Sequence, residues 1–162
     1  MGAGKTTVGT ALARDLGREL VDNDVELEAR AGSSAARIAA ERGLAVLHDL
    51  EADELRHALQ RRPAAVVAAA ASVVDRPDTA ALLAPHVVVW LDAPADVLDL
   101  RTAGSSHRPA LAAQGAGFAA AVAEGRRGRF AALADVHVDA TAGSPDDVAA
   151  AVVARLADLP PS

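Results

Sequence analysis

The sequence predicts an α/β domain with a parallel sheet and helices on both of its faces. Short apolar runs of strand length alternate with stretches of helical periodicity along the whole chain. Alternation of this kind is typical of βαβ units, whose strands run parallel. The length of 162 residues suits one domain. We expect a single domain over residues 1–159 and a frayed tail over 160–162.

Composition excludes several classes of protein. The absence of cysteine excludes a disulfide framework, a thiolate zinc site and a cysteine nucleophile. A net charge of −6 argues against a nucleic-acid surface. No apolar run reaches the roughly 18 residues of a membrane span, and the first residues do not resemble a signal peptide. We therefore expect a cytoplasmic protein with no nucleic-acid or membrane partner.

The first half of the chain contains three helical patterns and one short strand. Leucine and valine repeat every four residues over 5–16, and this pattern stops at Gly17. Residues 19–21 form a strand candidate. Ser33 or Ser34 is a suitable N-cap for a helix to residue 42, and the pattern over 44–61 is helical again.

The second half continues the alternation. Apolar runs predict strands over 64–71, 86–91 and 136–138, although alanine makes the first of these a weak strand former. Pro94 suits a first helical turn before a helix to residue 102, and residues 118–134 are helical. Ser144 is a predicted cap for a final helix over 145–159. The Gly-, Ser- and Ala-rich segment 103–117 predicts a loop.

A glycine-rich segment at the start of the chain predicts a phosphate site. Residues 2–6, with the sequence Gly-Ala-Gly-Lys-Thr, match the second half of a Walker A motif directly before a helical pattern. In such a loop Gly2, Ala3 and Gly4 would turn backbone N–H groups toward phosphate, Lys5 would neutralise phosphate oxygens, and the Thr6 hydroxyl would hold Mg²⁺. The alternative is a glycine-rich helix start with a chance Lys-Thr pair.

A complete Walker A motif also has an earlier glycine and a preceding strand. Neither occurs in this sequence, in which Met1 falls within the motif. We expect the natural gene product to begin upstream with an apolar strand. Without that strand, a parallel sheet would have a gap near its centre.

Two carboxylates lie one residue apart after the first predicted strand. Asp22 and Asp24 are then at the carboxyl end of a strand, the edge at which open α/β sheets bind ligands. Next to a phosphate loop, they are candidates for metal and substrate binding. The alternative is a solvated acidic turn that caps the following helix.

The whole set of motifs resembles the shikimate kinase family, whose members are small P-loop kinases. The resemblance rests on the run over residues 1–9, on Val-Asp-Asn-Asp-x-x-Leu-Glu over 21–28, and on Glu41-Arg42-Gly43 followed by Glu51. His-Arg-Pro-Ala-Leu over 107–111 is similar to the lid motif of that family. The resemblance implies a three-layer P-loop NTPase fold whose first strand is absent from this chain. It also implies a kinase that uses ATP and Mg²⁺.

The resemblance assigns roles to the acidic pair and to the phosphate loop. Asp22 would lie near Mg²⁺ and the acceptor hydroxyl, and would share the metal with Thr6. Asp24 would accept hydrogen bonds from substrate hydroxyls and serve as a base. Lys5 and Thr7 would bind the nucleotide phosphates, and Lys5 would stabilise the transferred phosphoryl group.

Three arginines also match positions of the family. Arg108, in a lid over 103–117, would close over the γ-phosphate, although an exposed loop arginine is the alternative. Arg101 would pack on adenine, or would simply be a cation at a helix C-terminus. Arg126 would bind the substrate carboxylate. Arg127 and Arg129 are neighbours in the sequence and are the alternative candidates for this role.

Two departures from the family pattern fall on the acceptor side. His48 stands where the family has a second carboxylate-binding arginine, and a neutral imidazole cannot form a bidentate salt bridge. Ala70, Ala71 and Ser72 stand where the family has three glycines that let the backbone approach the substrate. His48, Ala70 and Ala71 therefore remain predicted substrate contacts of altered chemistry.

The function that we expect is ATP-dependent phosphorylation of the 3-hydroxyl of shikimate by a monomer. The altered acceptor side keeps two alternatives open. One is the same chemistry on another small hydroxylated acceptor. The other is a nucleotide-binding homologue with little catalysis.

Overall fold

The computed structural model describes residues 2–103 and 118–160. Its α-helices are α1 (Lys5–Asp15), α2 (Asn23–Ala31), α3 (Ala35–Arg42), α4 (Leu44–Leu59), α5 (Thr79–Leu83), α6 (Ala95–Ala103), α7 (Phe118–Leu133) and α8 (Pro145–Ala157). Its strands are β1 (Leu20–Asp22), β2 (Val66–Ala68), β3 (Val89–Asp92) and β4 (Val136–Asp139). A 3-10 helix spans Ala71–Asp75.

All described strand pairs are parallel, as the alternation of strands and helices predicts. In the described ranges the strands form two sheets, in which β1 pairs with β2 and β3 pairs with β4. Leu20 lies opposite Val66 in the first pair, and Val89 lies opposite Val136 in the second. The carboxyl ends of both pairs carry aspartates, Asp22 in β1 and Asp92 in β3.

A largely apolar cleft of about 830 Å³ separates the two sheets. It is bordered by β2 and β3 along its length and by α1, α7 and α8 around it. Each sheet therefore depends on its flanking helices, since a two-stranded sheet has little stability of its own.

The helices cover the sheets on both faces, which gives the predicted three layers. On one face, α1 and α8 pack against β4 through Val8, Leu12, Val136, Val138 and Val152. On the other face, α4 and α7 pack against β2 and the 3-10 helix. That second cluster contains Leu55, Ala70, Val73 and Val74, with Phe130 and Leu133 of α7 at its border.

Two predicted helix caps are confirmed. The Ser34 hydroxyl accepts a hydrogen bond from the Arg37 N–H at 3.3 Å, so Ser34 and not Ser33 is the N-cap. Ser144 and Asp147 form a reciprocal capping box at the start of α8. Both caps could be predicted from the sequence because a helix cap depends on residues close to it in the chain.

The strand prediction over 64–71 is wrong in part. Only Val66–Ala68 of the expected strand over 64–71 is extended, and the chain turns into the 3-10 helix at Ala71. The two valines supply the β-branched side chains, whereas the following alanines favour helix. Helix α2 was predicted only as the helix that the acidic turn would cap, without bounds of its own.

No helix in the described ranges combines the length and the apolar character that crossing a membrane requires.

Candidate active site

The glycine-rich segment forms a left-handed turn at the N-terminus of α1. Gly2 and Gly4 have φ angles of 74° and 82°, in the region that favours glycine. A Cβ atom on Gly4 would lie 3.3 Å from the Thr7 Oγ1 atom. The Thr7 hydroxyl donates a hydrogen bond to the Gly4 carbonyl at 3.0 Å. The turn thus places Gly4 at the N-cap of α1, and the N-terminus of a helix favours phosphate.

Thr6 and Asp22 are brought together from two elements. The Thr6 hydroxyl donates to the Asp22 Oδ2 atom at 2.6 Å, which joins the start of α1 to the end of β1. The Asp22 Oδ1 atom accepts from the Asp24 N–H at 2.9 Å and caps α2. Asp22 therefore caps α2, as the alternative interpretation of the acidic pair expects, while its other oxygen contacts Thr6. Metal and substrate binding by Asp22 and Asp24 stays a prediction.

The donor set of Thr6 and Asp22 fits Mg²⁺. This ion prefers oxygen ligands and is usually held by one or two protein groups, with substrate phosphates and water completing the octahedron. Across the part of the chain that the structure describes, no group of three or more His, Asp or Glu side chains is arranged to hold a metal. One hydroxyl and one carboxylate suit an ion that is shared with a nucleotide.

Arg101 reaches back from α6 to the glycine-rich turn. Its Nη1 atom lies 3.5 Å from the Gly2 carbonyl oxygen, and its Nη2 atom lies 3.2 Å from the Thr141 carbonyl oxygen. These contacts place Arg101 beside the glycine-rich turn. It also lies in the last turn of α6, so both interpretations of Arg101 stay open.

Lys5 is the only lysine among the 16 basic residues of the sequence. The other 15 are arginines, so arginine is the cation used at every other position. Lysine and arginine are not interchangeable at a phosphate, because the ammonium is a compact point charge and the guanidinium a planar fork. This composition signal was available in the sequence and supports a specific role for Lys5.

The stretch Ala70–Ser72, which was predicted to lie on the acceptor side, is built into the fold. The Ser72 hydroxyl donates a hydrogen bond to the Glu51 carboxylate of α4, and both residues are buried. Ala70 is 3% exposed and packs in the cluster of α4 and α7. The added side chains of Ala70 and Ser72 thus occupy the interior. Ala71 is half-buried and borders the cleft between the sheets.

The three arginines of α7 have distinct partners. The Arg126 Nε and Nη2 atoms lie 2.9 and 2.5 Å from the Asp75 Oδ2 atom. Arg129 contacts the Asp75 Oδ1 atom at 2.7 Å. Arg127 instead pairs with Asp92 and lies over the Trp90 ring, with its guanidinium carbon 5.4 Å from the ring centroid. Arg126 is the least exposed of the three, at 15%.

Asp75 is a functional candidate that the sequence analysis missed. Burial raises the pKa of Asp75, but hydrogen bonds and charge from Arg126, with the charges of Arg129 and His48, outweigh burial and lower it. The half-buried His48 is therefore close enough to Asp75 to act on its charge. No sequence signal identified Asp75, because its partners are 51 and 54 residues away.

A second cluster lies on the α7 face of β3 and β4. Trp90 stacks on His137, with ring centroids 4.4 Å apart, and on Phe130 at 5.9 Å. The His137 Nε2 atom lies 3.3 Å from the Asp92 Oδ2 atom. These aromatic and charged groups join β3, β4 and α7 beside the acceptor-side arginines.

Arg108, together with almost all of the predicted lid over 103–117, lies outside the described residues. Its assignment stays a prediction.

Comparisons with known proteins agree on one family. The family model described as "Shikimate kinase" matches residues 1–157. A shikimate kinase from Corynebacterium efficiens is 33% identical over 158 residues, which cover 97% of this chain and 92% of that protein. One from Synechococcus elongatus is 34% identical, covering 100% of this chain and 83% of that protein.

Solved structures give the same result. The shikimate kinase from Acinetobacter baumannii in complex with shikimate has a TM-score of 0.88 and 25% identity, covering 98% of this chain and 89% of that one. The shikimate kinase from Bacteroides thetaiotaomicron has a TM-score of 0.81 and 26% identity, covering 98% and 92%. These matches confirm the resemblance and the predicted fold, and the chain belongs to the shikimate kinase family.

Proposed function

We propose that this chain transfers the γ-phosphoryl group of ATP to the 3-hydroxyl of shikimate. The observation that carries the proposal is the 2.6 Å hydrogen bond between Thr6 and Asp22, since it joins the phosphate loop to the acidic pair at one sheet edge. Membership of the shikimate kinase family and similarity to a structure that contains shikimate support the choice of acceptor.

The nucleotide would bind at the N-terminus of α1. Backbone N–H groups of the turn from Gly2 to Thr7 and the partial positive charge of the helix favour phosphate. Thr6 and Asp22 would hold Mg²⁺, which when bound neutralises phosphate charge as the phosphoryl group moves. Lys5 would add a positive charge to the transferred group, and Arg101 would bind the nucleotide base.

The acceptor would bind between α2, the 3-10 helix and α7. Asp24 follows Asp22 at the start of α2 and would orient the attacking hydroxyl and accept its proton. Arg126 would bind the carboxylate of the acceptor, with a protonated His48 as a second cation. Ala71 would offer its backbone, as would Ala70, whose side chain is buried. Arg108 would close the site from the lid over 103–117 and exclude water.

Other features of the proposal concern the state of the protein. We propose that residues 1–159 act as one domain and that the enzyme is a cytoplasmic monomer. No nucleic-acid or membrane partner is expected, in keeping with a net charge of −6.

The test is ADP release from ATP and Mg²⁺ by the 162-residue chain, measured with and without shikimate. We expect stimulation by shikimate that disappears in Lys5→Ala. Arg14→Ala is the matched control, since it removes a cation of the same helix that pairs with Asp15 and Asp146 on the surface. ATP binding without any stimulation by shikimate would contradict the proposal.

A second candidate function is the same reaction on another hydroxylated acceptor. The observation that favours it is the pairing of Arg126 with Asp75, which removes a free cation from the acceptor side. A panel of small polyols and hydroxy acids in the same assay distinguishes the two, since only the second candidate predicts a better acceptor than shikimate.

A further inference from the structure

The arginine proposed to bind the carboxylate of the acceptor already binds a carboxylate of the protein. Two nitrogens of Arg126 contact one oxygen of Asp75, at 2.9 and 2.5 Å. The other oxygen of Asp75 contacts Arg129 at 2.7 Å. Asp75 thus engages both arginines in the way that a bound carboxylic acid would.

Asp75 is held in this position by the fold. It is the last residue of the 3-10 helix, and the preceding Val73 and Val74 are 4% and 9% exposed in the core. Ser72, one residue earlier, is anchored to Glu51 of α4. The backbone before Asp75 is therefore fixed, and the remaining freedom lies in the side chain itself, which is 31% exposed.

The charges around Asp75 favour its ionised form. Arg126, Arg129 and His48 all lower the pKa of this carboxyl, and together they outweigh the effect of burial. At neutral pH a negative charge therefore sits among the cations of the acceptor side. An incoming carboxylate would meet Arg126 already neutralised, and would be repelled by Asp75 if the latter stayed in place.

We propose that Asp75 is a specificity-determining residue of the acceptor pocket, whose carboxylate competes with the carboxylate of the acceptor for Arg126. This inference rests on the proposed function. An acceptor that carries a carboxylate must displace the Asp75 side chain, and its apparent affinity falls by the cost of that displacement. An acceptor without a carboxylate does not compete with Asp75, so its affinity does not depend on that charge.

The alternative role for Asp75 is a tether between the 3-10 helix and α7. A tether and a competitor differ in their effect on affinity. Loss of a tether would loosen Arg126 and weaken acceptor binding. Loss of a competitor frees Arg126 and strengthens it. The sign of the change in KM therefore separates the two roles.

The decisive variant is Asp75→Asn, which removes the charge and keeps the shape. Its control is Asp78→Asn, three residues later, since Asp78 pairs with Arg56 and Arg76 on the surface. We expect the KM for shikimate to fall about tenfold in Asp75→Asn, because the substitution removes the charged pair between Asp75 and Arg126 that competes with the acceptor. We expect kcat to change less than about twofold. Asp78→Asn should match the parent protein.

A second acceptor makes the test specific to the carboxylate. With a shikimate analogue whose carboxylate is replaced by a carboxamide, Asp75→Asn and the parent should have the same KM. An equal gain for both acceptors would overturn the inference, as would a KM for shikimate that is unchanged or raised. If Asp75→Asn folds poorly by circular dichroism, Asp75→Ser provides the same comparison.

Calorimetric binding separates this inference from the proposed function. Tighter shikimate binding by Asp75→Asn without turnover in either protein would support competition and contradict the proposed reaction. Turnover in both proteins with equal KM and equal Kd would support the reaction and overturn the role of Asp75. Absence of shikimate binding in both proteins would contradict both.

Discussion

The two ends of the site differ in how they keep the features of the family. At the nucleotide end, the glycine-rich turn, Thr6 and Asp22 are in contact with one another across two elements. At the acceptor end, His48 and the stretch from Ala70 to Ser72 depart from the family pattern, and Arg126 is paired with Asp75. In the proposed site, phosphate binding depends on backbone and helix geometry, whereas acceptor binding depends on side chains.

The difference shows where substitutions are accommodated. Gly4 is fixed by its φ of 82°, so the turn has few alternatives. At the acceptor end, larger side chains are instead buried in the interior. Ser72, for example, donates a hydrogen bond to Glu51 there. The ability to bind nucleotide can therefore be retained while the affinity for the acceptor changes.

The largest effect should come from the nucleotide end. Lys5→Ala removes the one lysine of the chain and its charge on the transferred phosphoryl group. We expect kcat to fall by about 100- to 1,000-fold, the usual range for removing one charge-stabilising group. Lys5→Arg should also be poorly active, because a guanidinium fork does not replace an ammonium here. The measurement is steady-state ADP release, and a loss below about fivefold would contradict the assignment.

A smaller effect should appear at the acceptor end, in KM. Arg126→Gln removes the proposed partner of the acceptor carboxylate, and we expect the KM for shikimate to rise about 10- to 100-fold. Arg127→Gln is the matched control one residue away, since Arg127 pairs with Asp92 and Trp90. A larger effect in Arg127→Gln would mean that the carboxylate partner has been assigned to the wrong arginine.

The stretch that replaces the glycine triplet should matter for stability. Ser72→Gly removes a buried hydrogen bond to Glu51, and we expect it to lower the free energy of unfolding by about 1–3 kcal/mol. Ala71→Gly, next to it and only half-buried, should cost about 0.5–1 kcal/mol. Urea denaturation at pH 7 measures both. Equal losses would show that the bond to Glu51 contributes nothing.

The smallest effect should be the acid dependence of stability at Asp75. Its pKa is lowered in the folded protein, so its stabilisation is present above the unfolded pKa of about 3.9 and is lost as the pH falls through the folded value. The difference in unfolding free energy between the parent and Asp75→Asn should be constant near neutral pH, at under about 1 kcal/mol, and shrink below pH 4. A difference that grows in acid would contradict this sign.

Local patterns predicted much of the fold. Helix α1 and the caps at Ser34 and Ser144 depend on residues that are close in the sequence, so local patterns predict them. The parallel pairing follows from the alternation of strands and helices along the chain. The short length of β2 was not predictable, because the 3-10 helix after it is held by a contact to α4. Helix propensity and tertiary contacts together outweighed the apolar run.

Contacts of the proposed site were predictable where its residues belong to a motif. Thr6 and Asp22 were both candidates before their contact was known, since each belongs to a recognisable motif. Asp75 was not, because its importance comes from Arg126 and Arg129 on a helix more than 50 residues away. Single-sequence patterns do not report pairings at that separation.

Trp90, which stacks on His137, provides an intrinsic fluorescence probe of this protein. Trp90 is the one tryptophan of a chain that has no tyrosine, so its ultraviolet emission arises from a single site. The indole stacks with Phe130 and with His137, and the guanidinium of Arg127 lies over its ring. Emission should therefore follow the environment of β3, β4 and α7 alone. Tryptophan fluorescence can thus report changes around Trp90 without an added label.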